Sequence, residues 1–109
     1  MGTRAQVLIK DTGVYLYQHW DGDGLFDTVV KAVNGPVGKN RQSDPDYLTR
    51  IIFSAMVKGQ ENEETGFGIG MEQHGDIEYL VTVDCEKQTI TERDVELGKN
   101  RRTCNFEYR

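Results

Sequence analysis

The sequence predicts an α+β domain: a mainly antiparallel sheet with two helices packed on one face. Three observations predict it. Apolar and polar residues alternate over 5–10, 14–20 and 76–86, the period of a half-buried strand. Apolar residues recur at helical spacing from Leu25 and again after Pro45. The strand-like stretches are segregated from the helix-like ones, in the order β-β-α-α-β-β-β, which favours an antiparallel sheet over a parallel one.

The first two strands, 5–10 and 14–20, flank Asp11-Thr12-Gly13, a short turn-forming link, and form a hairpin. Asp21-Gly22-Asp23-Gly24 stops the second strand. A helix follows, with Leu25, Val29 and Ala32 on one stripe and Phe26, Val30 and Val33 beside it. Asp23 or Gly24 is placed to cap it, and Asn34-Gly35-Pro36 ends it, with Gly35 suited to a left-handed cap. After a polar linker at 37–43, Asp44 and Pro45 supply the N-cap and first-turn signals of a second helix. Its apolar face is Leu48, Ile51, Ile52, Ala55 and Met56, and Gly59 closes it. Residues 60–66 form an acidic loop. Residues 66–70, Gly-Phe-Gly-Ile-Gly, fit either a short strand or a glycine loop. The strand at 76–86 carries Ile77, Tyr79, Val81, Val83 and Cys85 on one face, residues 88–92 pair with it, and a last strand lies near 103–108.

With the helices over Val7, Ile9, Val14, Leu16, Tyr79, Val81 and Val83, the opposite face carries Lys10, Tyr15, Tyr17, His19, Glu78, Thr82 and Asp84. That mixed aromatic and charged face is the first candidate binding surface; a partner subunit or the C-terminal tail is the alternative cover for it. The length of 109 residues makes one domain, 1–109. No apolar run approaches the roughly 20 residues of a membrane helix. No secretory pattern opens the chain, and Gln6 stands where a myristoyl signal needs Ser or Thr, so a cytoplasmic protein is expected.

The net charge of −5 is unevenly spread: +1 over 1–60, −9 over 61–96 and +3 over 97–109. The acidic middle repels a phosphate backbone, so no nucleic-acid partner is expected. It favours a basic protein partner, or simple solubility. Cys85 and Cys104 lack metal-ligand spacing, and whether they pair is open.

Three stretches resemble a group of small microbial and phage proteins. These are Met-Gly-Thr-Arg at 1–4, Tyr-Leu-Tyr-Gln-His-Trp-Asp-Gly at 15–22 and His-Gly-Asp-Ile-Glu-Tyr-Leu-Val-Thr-Val-Asp at 74–84. They cover under a third of the chain. Where the group continues Tyr-Pro after Asp-Gly, this chain has Asp23-Gly24, so the role of that turn differs. The resemblance implies a fold and a phage or mobile-element origin; it implies no reaction.

The densest chemical cluster is His19-Trp20-Asp21, at the end of a strand and before a glycine turn. Its structural alternative has Trp20 in the core and Asp21 in a turn. His19 precedes Asp21 as His74 precedes Asp76, and convergence of the four would give an N/O metal site. Asp21, Asp23 and Asp27 begin like a calcium loop, but Ala32 stands where its final glutamate belongs. Residues 66–70 match neither a Walker loop nor a dinucleotide fingerprint, and no nucleophile is set in an activating sequence.

The expected function is therefore a small non-catalytic binding protein that occupies the surface of a host protein, with no cofactor. Tyr15, Tyr17, His19, Trp20 and Asp21 would anchor it, and Glu78, Asp84 and Glu86 would steer it. Two alternatives differ in class. One is a nucleotide-binding or sequestering module, with Arg4 on phosphate and Tyr17 or Trp20 on the base. The other is a metal-dependent enzyme using His19, Asp21, His74 and Asp76. An open sheet face or edge also permits a homodimer.

Overall fold

The fold comes from a computed structural model, which describes residues 3–107. Met1 and Gly2 of the opening motif, and Tyr108 at the end of the last expected strand, lie outside the described residues.

Among the described residues, six strands and two α-helices form the α+β arrangement that the sequence predicts. The strands are β1 (Ala5–Ile9), β2 (Val14–Gln18), β3 (Phe67–Gly70), β4 (Tyr79–Asp84), β5 (Thr89–Asp94) and β6 (Lys99–Asn105). The helices are α1 (Leu25–Asn34) and α2 (Pro45–Val57). The sheet order is β3-β2-β1-β4-β5-β6. Every neighbouring pair is antiparallel except β1–β4, which runs parallel at the centre. No helix is long and apolar enough to cross a membrane among the described residues.

One sheet face meets the helices. Val7, Ile9, Leu16, Val81, Val83 and Ile90 rise from it against Leu25, Val29 and Val33 of α1 and Leu48 and Ile52 of α2. All of these side chains are fully buried, so each contributes the roughly 1.5–3 kcal/mol of a desolvated aliphatic group. Asp44 caps α2 by accepting from the Tyr47 N–H, and Pro45 follows at the first helical position. No side chain caps α1. Gly35 is not left-handed but extended, at φ −76°; a Cβ there would stand 2.8 Å from the Lys31 carbonyl oxygen, and that close approach is what requires glycine.

Several boundaries differ from the sequence reading. The second strand stops at Gln18, not at Trp20, because the Gln18 amide donates to the Trp20 and Asp21 carbonyls and Asp21 takes φ 57°. Residues 67–70 are a strand, and β4 begins only at Tyr79. The last strand starts at Lys99, well before the apolar stretch that marked it. Gln42, in the polar linker, is buried and donates to the Val33 and Glu107 carbonyls, tying the C-terminal end of α1 to the end of the sheet.

At the β5–β6 edge the Glu92 carboxylate is fully buried on the helix-facing side. Arg102 meets it in a two-pronged pair, Nε at 2.9 Å and Nη2 at 3.1 Å, and lays its guanidinium over the Phe26 ring. A bulge at Glu92/Arg93 brings Arg101 to 3.8 Å of the same carboxylate. Both cysteines are free. Burial, and secondarily the Asp11 carboxylate that accepts from the Cys85 N–H, pushes the Cys85 thiol up to about 12.

Candidate functional site

The face away from the helices is crossed by the chain itself. β3 ends at Gly70, level with Tyr15, whereas β4 begins at Tyr79, level with Ala5. The connection at 71–78 must therefore travel over β2 and β1 to reach its strand. It replaces the partner subunit or C-terminal tail as the cover that this part of the face receives.

Gln6 holds the crossover down. Its side chain lies on the open face and is 1% exposed, which for a mid-strand amide requires partners. Nε2 donates to the Glu72 carbonyl at 3.2 Å, and Oε1 accepts from the His74 N–H at 2.8 Å. The clamp sets the His74 ring on Tyr17, with centroids 4.5 Å apart and planes at 26°. On its other side the Tyr17 hydroxyl is 3.1 Å from His19 Nδ1. Asp76 stands 3.9 Å from His74 Nδ1 and 3.5 Å from Arg4 Nε. Burial first, and the Asp76 charge second, raise the Tyr17 phenol above its ordinary value, so it stays neutral. The group can stack and hydrogen-bond. Neither cysteine joins it: Cys85 belongs to the core on the helix side and Cys104 packs against that core.

Beside this stack, between the crossover and β3, lies a cleft of about 400 Å³. Tyr17, His74 and Gln6 form one wall, Gly68 and Gly70 the floor, and Glu64 part of the rim. β3 is the outermost strand, with nothing paired to its far side among the described residues. Ile69, on the Leu16 face of this strand, and Met71, just after it, are 65% and 67% exposed. Glu61, Glu63 and Glu64 stand exposed before the strand and Glu72 after it.

The structure redistributes the expected site residues. Tyr15, Tyr17 and His19 share the open face as expected. Trp20 meets His19 edge-on, with ring centroids 5.9 Å apart, and also packs edge-on to Phe67, 5.7 Å away, and against Gly66. Phe67 belongs with Gln18 and Leu16 on the opposite face, so Trp20 joins the Tyr17–His19 pair to that face at the end of the strand. Arg4 pairs with Asp76, which also faces His74 on Tyr17, so of the two expected base-stacking rings Tyr17 is the one linked to Arg4. Asp84 is not a steering charge; it is buried, 3.5 Å from Lys10, and accepts from the Lys87 N–H. Glu78 and Glu86 are exposed. His19, Asp21, His74 and Asp76 do not converge: Tyr17 separates the imidazoles, and the Asp21 carboxylate turns toward Gly24. Among the described residues no three His, Cys, Asp or Glu side chains are placed to hold one metal ion.

Gln6, Glu64, Gly68 and Ile69 were outside the expected site. The alternating glycines at 66–70 were their one visible signal. Compared with protein-family models, curated proteins and solved structures, the chain shows no significant match.

Proposed function

We propose that this chain is a non-catalytic protein-binding module that acts by occupying a surface of a partner protein, using the β3 edge and the adjoining cleft. The observation that carries the reading is the unpaired β3 edge itself. An outer strand offers a row of backbone donors and acceptors to another chain, and proteins ordinarily blunt such an edge with charge, proline or a cover. β3 carries none of the first two, and exposed apolar side chains project beside it. The Tyr17–His74 stack adds a rigid amphipathic wall of the kind that anchors interfaces.

Site-specific photocrosslinking in the native cell tests this. A benzophenone side chain is placed at Ile69, or at Leu97, an equally exposed apolar position between β5 and β6. A discrete protein adduct from position 69 but not from 97 is expected. Equal labelling from both positions, or none, would sink the reading. A saturable quench of Trp20 by nucleotides without any protein adduct would favour a small-molecule site in the cleft instead.

A further inference from the structure

We propose that the β3 edge takes an extended polypeptide segment flanked by Lys or Arg as an added strand, with one of its side chains seated over Gly68 beside Tyr17 and His74. This rests on the binding-edge reading and adds to it the chemistry of the partner.

The backbone phase comes first. The His19 N–H donates to the Gly66 carbonyl at 2.8 Å. Antiparallel alternation then turns the backbone groups of Gly68 and Gly70 toward β2, and those of Phe67 and Ile69 outward. An added strand bonds to Phe67 and Ile69. Its residues opposite Gly68 and Gly70 direct their side chains to the open face, where the cleft lies.

The glycines leave that space free. Gly66 is glycine for structural reasons: φ is +103°, and a Cβ would stand 2.4 Å from the Trp20 ring. Nothing comparable holds next door. A Cβ on Gly68 would meet its nearest neighbour at 4.0 Å, one on Gly70 would meet nothing within 4 Å, and neither has a positive φ. Glycine weakens a strand, and in a strand it marks close approach by a ligand or another backbone. At Gly68 the vacated volume is the floor of the cleft.

Charge selects the occupant. Acids flank β3 at both ends, Glu61, Glu63 and Glu64 before it and Glu72 after it, and the strand itself is uncharged. A second copy of this chain paired antiparallel would set Glu64 of each copy near Glu72 of the other; paired parallel, it would set Glu64 against Glu64. Like charges oppose both. Lys or Arg flanks complement the edge in either direction.

Fluorescence anisotropy with three labelled peptides tests the proposal. One alternates Val and Thr around a central Tyr with Lys flanks, one has Glu flanks instead, and one copies residues 64–72. Each is titrated against wild type, Ile69→Pro and Gly68→Thr. The Lys-flanked peptide is expected to bind, at least about tenfold more tightly than the other two. Ile69→Pro removes an outward N–H but no bond to β2, and it is expected to abolish binding with the melting temperature retained. Gly68→Thr is expected to weaken binding at least about tenfold with the melting temperature unchanged or raised. If Ile69→Pro fails to fold, Gly68→Thr decides. Equal binding of the Glu-flanked peptide or the 64–72 copy, still lost in Ile69→Pro, overturns the basic partner and spares the edge. Binding that survives Ile69→Pro, or no peptide binding at all, overturns the edge itself. A lowered melting temperature in Gly68→Thr overturns the side-chain seat.

Discussion

The two edges of the sheet are built on opposite plans. β6 is a seven-residue strand with Lys99, Arg101 and Arg102 along it, kinked by a bulge and pinned to the buried Glu92. β3 is four residues long, uncharged, and glycine at every second position. Charge and a bulge are the usual means of keeping a free edge from pairing with other chains. One edge is closed by them and the other lacks them, while its neighbouring loop carries the acids. The contrast teaches that sheet-edge protection here is local, and that the unprotected edge coincides with the cleft.

The contrast can be broken most strongly at β6. Arg102→Met strands the buried Glu92 carboxylate with only Arg101 near it, and is expected to cost about 3 kcal/mol in urea unfolding. Glu92→Leu removes the buried charge itself and is expected to cost less. The reverse order would mean that the ion pair does not hold this edge. Next, at the start of β3, Gly66→Ala is expected to cost about 2 kcal/mol, from its positive φ and the Trp20 contact. The same change at Gly68 is expected to stay within about 0.5 kcal/mol. Equal losses would remove the distinction between the two glycines.

A smaller effect sharpens the comparison. Gln6→Leu leaves the His74 N–H and the Glu72 carbonyl unpaired, and is expected to cost about 1–2 kcal/mol. Hydrogen exchange at 72–76 is expected to quicken while β6 keeps its protection. Uniform quickening would mean that the crossover is not a separable unit. The smallest effect is at the β4–β5 turn. The Lys87 N–H, and then the Lys10 charge, hold the Asp84 carboxyl below its ordinary range. Its folded value lies below the unfolded one, so its stabilisation is present above about pH 4 and is lost as pH falls through the folded value. Asp84→Asn is expected to flatten the acid limb of the stability curve, and an unchanged limb would place the acid sensitivity elsewhere.

Legibility followed the range of each interaction. The second helix could be read from Asp44, Pro45 and its apolar stripe because all of its signals are local. β1 and β2 could be read from alternation for the same reason. Of β6 only the end, 103–105, could be read, since its earlier residues are largely exposed and show no apolar period. Glu92 and Gln6 look like surface residues until the helix-facing side of the sheet and the crossover bury them. Of the candidate site, Tyr17, His19, His74 and Asp76 stood out by chemical type. Their grouping did not, because it depends on a connection that crosses two strands. Gly68 lacked any marker beyond its neighbours, because a seat made by an absent side chain leaves little trace in composition.

The central parallel pair sets an order on biosynthesis. β1 bonds to β2 on one side and to β4 on the other, with Ala5 against Tyr79 and Ile9 against Val83. The first hairpin leaves the ribosome before β4, and its inner edge has no partner until β4 follows. At about 5–20 residues per second that exposure lasts on the order of ten seconds. Through that interval the nascent chain has two bare strand margins, and a chaperone or the delayed arrival of β4 decides whether it reaches its own sheet before it meets a neighbour's.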